Sequence, residues 1–421
     1  MKNLFLMAAL LSAAVALADA SVSDVVVKQN WPWGPEVNVD YTLTADAACD
    51  VDATISFTVG VKAESRSLTF YGSTSGAGHF TWDPVAEGFS GESIRNFKVT
   101  LTATPVSDRT YLVINLLDGS HEFLPDVPEG GWTVVHKTDK MVFRRIPAGT
   151  YVNGLNYYNE AKPLVVPNAA RVTPRNVTLT SDFYIGIFQV TGRQYERLSG
   201  RTMSHSDYYA LYPLYDDLQP SYYDWRGSPI GNPVVNWPAT KYVVDPNSIV
   251  GKFRKLVNDE FLVDLPTEEM WEIAARAGTT TIYPNGGVVK TEGAFTSQTL
   301  TNEDELKQFA MAIGRCVYTG YSSNGPVGEL LANGWGLYDV VGNGQEWMLD
   351  VGDTNARSDA TDPVGPFPEE GVTEPKRAQK SCWRGTDKIG GTVPSYRAID
   401  NPMTLNVSTR LCIHLKSLFG E

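Results

Sequence analysis

Cysteine and histidine are scarce: the 421 residues hold four of one and five of the other. So few thiols argue against a disulfide scaffold and against a cysteine-based zinc module. The histidines (His79, His121, His136, His205 and His414) are scattered, without the close spacing that would let one helix hold a metal. Positive charge is short as well, with 35 Lys and Arg against 48 Asp and Glu, a net −13. A surface of that sign repels phosphate backbones, so nucleic acid is not an expected partner. Beyond the first twenty residues no apolar run approaches the ~20 residues that a spanning helix needs. No phosphate-binding loop occurs, and Gly342-Asn343-Gly344 is too short for a dinucleotide site.

What is present is a globular composition, 42% hydrophobic and 20% charged, which can bury a sizeable core. The length fits two or three domains at roughly 150 residues each. Residues 1–20 (MKNLFLMAALLSAAVALADA) pair an early Lys2 with a short apolar stretch and Ala18-Asp19-Ala20, the pattern of an export signal. From 21 to 125 the residues alternate at period two. Strands are expected at Val25–Val27, Val37–Leu43, Ile55–Val59, Phe97–Thr102 and Tyr111–Leu116, so this stretch is expected to be an all-β, immunoglobulin-like sandwich. Residues 126–131 have linker composition. A second domain, 132–421, mixes turns with a few helices, at Thr267–Ala277, Asp304–Ile313 and Thr191–Leu198. In the first of these Thr267 can cap, Glu268 and Glu269 sit in the positive first turn, and Gly278 can close the helix. Its apolar face, Met270, Ile273, Ala274 and Ala277, is expected to be buried.

The second domain carries a family pattern. Phe143-Arg144-Arg145-Ile146-Pro147-Ala148-Gly149, Phe183-Tyr184-Ile185-Gly186 with Val190-Thr191, and Pro233-Val234-Val235-Asn236-Trp237 come first. Leu265-Pro266-Thr267-Glu268-Glu269-Met270-Trp271-Glu272, Pro326-Val327-Gly328, Asn333-Gly334-Trp335-Gly336-Leu337-Tyr338-Asp339 and Gly342-Asn343 with Glu346-Trp347 follow in order. Together these blocks resemble the formylglycine-generating enzyme family, the sulfatase-modifying-factor domain. The resemblance implies an α+β, loop-rich, C-type-lectin-like fold behind the β-sandwich. It also implies a structural Ca²⁺ site at Asp339, Gly342, Gly344 and Glu346, an oxygen set that suits a hard cation.

Active members of the family oxidise a sulfatase cysteine with a close thiolate pair that holds Cu(I), after an RGGS-type turn. Here that turn is degraded to Arg377-Ala378-Gln379-Lys380-Ser381-Cys382-Trp383, and no Cys occurs between Arg384 and Arg397. Cys382 and Cys412 are the only nearby thiols; they stand open as a disulfide, as separate buried thiols with Cys316 apart, or as a rebuilt copper pair, under which the chain would be an active oxidase. Departures at Asp264, Asn285 and Gly344-Gln345 accompany the loss. The expectation is therefore a catalytically degenerate scaffold serving recognition of an extracellular or periplasmic protein or glycan, exported to the periplasm, the medium or the cell surface. Candidate ligand residues are Tyr208, Tyr212, Tyr222, Tyr223 and Trp225 in an aromatic stretch rich in Asp, and Arg384, Asp387 and Arg397 in the C-terminal loops, where lectin-like folds bind. In the family, arginines such as Arg397 and Arg410 hold loops together.

Overall fold

The computed structural model describes residues 20–29, 34–154, 174–202, 225–226, 244–286, 290–291, 298–299, 303–352, 358–363, 376–383, 385–387, 389–401 and 407–414. The chain divides into two compact units, Met1–Ser107 and Asp108–Glu421. Most of the expected export signal, residues 1–19, lies outside the described residues, and Ala20 opens the first strand.

In the first unit the strands are β1 (Ala20–Gln29), β2 (Val37–Ala45), β3 (Cys49–Val59), β4 (Lys62–Ser73), β5 (Gly76–Trp82) and β6 (Ile94–Pro105). They form two antiparallel three-stranded sheets, β1-β2-β5 and β4-β3-β6. The period-two pattern is the cause. Val37, Val39, Tyr41 and Leu43 of β2 and Val51, Ala53, Ile55 and Phe57 of β3 enter one shared core. Phe57 lies 5.1 Å from the Trp82 ring and 5.2 Å, edge-on, from Phe89.

The second unit begins earlier than its composition suggests. It continues with β7 (Tyr111–Asn115), β8 (His121–Leu124), β9 (Lys140–Ile146), β10 (Gly149–Asn153), β11 (Arg175–Leu179), β12 (Phe183–Gly186) and β13 (Leu262–Asp264). Six strands run antiparallel in the order β13, Cys412–His414, β12, β9, β7, β8. The strand at Tyr111 thus belongs to this sheet, and the boundary moves from 125 to 107. Tyr111, Leu112, Val113 and Ile114 are all buried. A continuous apolar run marks a strand covered on both faces, whereas the strands of the first unit alternate. The Pro-Gly-rich stretch before Trp132 is a turn inside the unit, closed by Gly131 N–H to Pro128 O.

Helices form where their caps predict. Thr191 caps Gly192–Ser199, with Gln194 answering it across a capping box. Thr267 caps Glu268–Arg276, which ends on Ala277 in the left-handed region at φ 50°. The helix Glu303–Ile313 matches its expected range, whereas Ile249–Leu256, capped by Ser248, had no sequence expectation. In the helix capped by Thr267, burial departs from the expected apolar face: Ala277 at its end is only partly buried, and the rest of the helix is covered on all sides. Every residue of Glu268–Arg276 is buried, the acidic ones included, so the charges of this helix must find partners inside the protein. They do, and those partners organise the site.

Candidate functional site

The acidic side chains of the helix Glu268–Arg276 reach four neighbouring segments. Arg175 of β11 grips Glu269 at 2.6 to 2.9 Å, and Asn153 of β10 adds a bond of 2.6 Å to the same carboxylate. Glu272 accepts from Lys380 Nζ at 2.9 Å, Arg276 Nε at 2.8 Å and the Gly154 amide at 2.7 Å. Arg397 Nε lies 2.8 Å from Glu268. Burial by itself would raise the Glu272 carboxyl, but Lys380, Arg276 and Arg175 outweigh it and hold that carboxyl well below the usual carboxylate range. Arg397 is only 3% exposed. It is a clamp inside the unit and does not serve as a surface ligand residue.

The four residues expected to hold calcium come together, though not as a carboxylate pair. The Asp339 carbonyl, the Gly342 carbonyl, the Gly344 carbonyl and Glu346 Oε1 converge on one point, and the side-chain amide nitrogen of Gln189 sits there, at 3.4, 3.1, 2.7 and 2.8 Å. The Asp339 carboxylate turns away to accept the Gly328 amide at 2.8 Å, and burial raises it to about 6. Glu346 Oε2 accepts from Trp271 Nε1 at 2.6 Å and Arg410 Nε at 2.9 Å. Asp339 at φ 55° and Gly342 at φ 79° form the tight turn. A Cβ on Gly342 would meet the Arg315 carbonyl at 2.3 Å, so glycine is required there on both counts. Gln189 had no sequence expectation; a polar residue directly before the Val190-Thr191 block is the one trace of it.

Gly342 also decides where two thiols meet. Arg315 pairs with Gly342 in a short parallel ladder. Ser381, at φ 64°, receives the Gly342 amide on its Oγ at 3.0 Å. The residues that follow Arg315 and Ser381 are Cys316 and Cys382, and the Tyr318 amide bonding Thr386 O at 2.8 Å closes the far side. The two thiols lie in one buried core cluster. Interaction with Cys382 draws the Cys316 thiol down to about 7 against its burial, while the same interaction and burial push Cys382 well above the ordinary thiol range. Both are 0% exposed.

Of the alternatives left open for Cys382 and Cys412, a disulfide between them is absent, and Cys316, expected to stand apart, is the thiol that lies near Cys382. Both are free thiols. Cys412 instead lies 3.0 Å from His414 Nε2. Burial raises the Cys412 thiol, with the Asp264 carboxylate adding to it, and lowers His414 to about 4. A buried neutral thiol beside a neutral imidazole is not an activated nucleophile. Asp264, where the resemblance expects Arg, is itself held by Arg226 at 2.7 Å and Arg254 at 3.2 Å.

Of the expected ligand residues, Tyr208, Tyr212, Tyr222, Tyr223 and Arg384 lie outside the described residues. Trp225 is 0% exposed and packs edge-on against Tyr195 at 5.7 Å, so it is core and not a ligand contact; a lone ring in an aromatic stretch gives no periodicity by which to tell the two apart. Asp387 is exposed. Trp383, which carried no role in the sequence, is 47% exposed. The chain turns so that Cys382 points inward and the next residue offers its indole to solvent.

A family model described as the sulfatase-modifying factor enzyme 1-like domain matches residues 133–390. Formylglycine-generating enzymes of Mycobacterium tuberculosis and Thermomonospora curvata are 37% identical over 83 residues and 36% identical over 87, in each case 20% of this chain. Those stretches are 25% and 26% of the relatives, so the chain matches about a quarter of their length. Among solved structures, PvdO from Pseudomonas aeruginosa is similar at TM-score 0.42 and 19% identity, over 65% of this chain and 94% of that one. Treponema denticola variable protein 1 is similar at 0.43 and 18%, over 65% and 95%.

Proposed function

The chain belongs to the sulfatase-modifying factor enzyme 1-like domain family, and from that premise we propose an exported recognition module in which the scaffold persists and the oxidase chemistry has been lost. One observation carries the reading: Cys382 and Cys316 are wholly buried in one core cluster while Trp383, next to Cys382, faces solvent. Two soft thiols in contact are a donor set that suits a monovalent soft ion such as Cu(I). Oxidation of a substrate thiol needs that donor set at an open position that the substrate and dioxygen can reach. Both sulfurs lie instead in the apolar core with Tyr283, Tyr318 and Val393. A half-exposed Trp among C-terminal loops is the kind of anchor that dominates recognition energies. The first unit, read as an immunoglobulin-like sandwich, then serves as spacer or adhesion module. Among the described residues no helix is long and apolar enough to cross a membrane.

The contact between Cys316 and Cys382 favours one other reading, an active formylglycine-generating oxidase built on that pair. Thiol labelling separates the two. Native protein treated with a small maleimide should show no modified cysteine by intact mass, and all four should react in guanidinium. Rapid native labelling of Cys316 would argue for an accessible pair and against the module.

The recognition reading itself is tested on protein and glycan arrays with the full mature chain. For any ligand found, Trp383→Ala should weaken binding on the order of 30-fold, about the 2 kcal/mol of an interface hot spot, with the melting temperature unchanged. Binding indifferent to Trp383→Ala would remove this residue from the proposed surface.

A further inference from the structure

We propose that the side-chain amide of Gln189 takes the place of a metal ion in the oxygen cage of Asp339, Gly342, Gly344 and Glu346, so that this domain keeps its fold without calcium. The amide is oriented by its partners. Its Oε1 accepts the Gly344 amide at 2.9 Å, and its nitrogen faces three carbonyls and one carboxylate oxygen, all acceptors. With Gln189 fully buried, the two N–H groups of this neutral amide are shared among the four oxygens, the shortest contacts being to the Gly344 carbonyl and Glu346 Oε1.

The donor set does not fit Ca²⁺. Calcium takes six to eight oxygens at about 2.3–2.6 Å, with carboxylates to balance its charge. Four oxygens point here, and only Glu346 brings a charge. That charge is already matched: Arg410, fully buried, donates through Nε to Oε2 and through a terminal nitrogen to Oε1, both at 2.9 Å. The same terminal nitrogen reaches the Asp339 carbonyl at 3.4 Å. Two of the four cage oxygens thus already face a fixed guanidinium, and a divalent cation at the Gln189 nitrogen would lie beside it in a buried setting where like charges repel strongly. Asp339, the one other acidic side chain of the set, is committed to Gly328. The amide and the guanidinium together do what an ion would do: they draw the turn after Asp339 onto the strand that begins at Glu346.

The full chain, purified without added metal, tests this by calcium content and by melting in EGTA and in millimolar calcium. The expected result is no stoichiometric calcium and the same melting temperature in both buffers. One calcium per chain, or a melting temperature that falls in EGTA and recovers with calcium, would overturn the proposal. Gln189→Glu gives the reciprocal test. It sets acceptor oxygens against acceptors, so the variant should melt several degrees lower in EGTA and regain part of that loss with calcium. A variant as stable as wild type in EGTA would also overturn it; if the variant is not recovered folded, the wild-type melts still decide.

Discussion

Glu272→Gln should lower the melting temperature of the second unit by roughly 6–10 °C at neutral pH. The side chain changes shape hardly at all, so the loss is one of charge. Lys380 is fully buried and lies 2.9 Å from Glu272, with Arg276 on the other carboxylate oxygen at 2.8 Å. Removing the one anion leaves buried cations without compensation, which costs about 3–5 kcal/mol when one partner of a buried ion pair is removed, and a domain of this size shifts about 2 °C per kcal/mol. The pH dependence gives an independent check. The Glu272 carboxyl is held below its usual range in the fold, against the burial that would raise it, by Lys380, Arg276 and Arg175. Its contribution is therefore complete above the unfolded carboxyl range and is lost as pH falls towards the depressed folded value. The gap between wild type and variant should be full at neutral pH and narrow below about pH 4. A gap that widens in acid would contradict the assignment.

Arg410→Met should be of similar or greater size, because Arg410 ties three separate segments to its own. It bonds Glu346 through both carboxylate oxygens and reaches the carbonyls of Gly186, Ile187, Tyr338 and Asp339. The variant leaves Glu346 fully buried with only Trp271 and Gln189 as donors, and about 3–5 kcal/mol is again the expected cost. Adding Glu346→Gln in the same chain should recover part of that loss, since the uncompensated charge disappears with it. Strict additivity of the two losses in chemical denaturation would mean that the pair is not coupled as described.

Much of this was legible in the residues. The helix at Glu268 announced its cap and its apolar face, and the run from Asn333 to Trp347 announced a turn-rich core held by large rings. The four cage residues did meet, because a tight turn and the strand after it fix them locally. What was not legible depends on distance along the chain. Gln189 reaches the cage from another segment, so nothing around Asp339 hints that an amide fills it. Cys316 and Cys382 are joined only because Arg315 and Ser381 are both pinned to Gly342, a coincidence of tertiary structure that spacing cannot reveal. The acidic residues of Glu268–Arg276 look like ordinary first-turn charges until Arg175, Lys380 and Arg397 arrive from elsewhere. The misplaced boundary at 125 has a local cause: two prolines and two glycines mark a turn whether or not a domain ends there.

The inaccessibility of the fully buried Cys316 and Cys382 thiols to any substrate decides between module and oxidase. It is tested most directly by incubating the full chain and Cu(I), in air, with a peptide that carries the Cys-x-Pro-x-Arg sulfatase motif, and reading aldehyde by mass. The account predicts no aldehyde above the level of a Cys316→Ser, Cys382→Ser chain. Aldehyde that forms with wild type and vanishes in that double variant would contradict it and make the protein an oxidase.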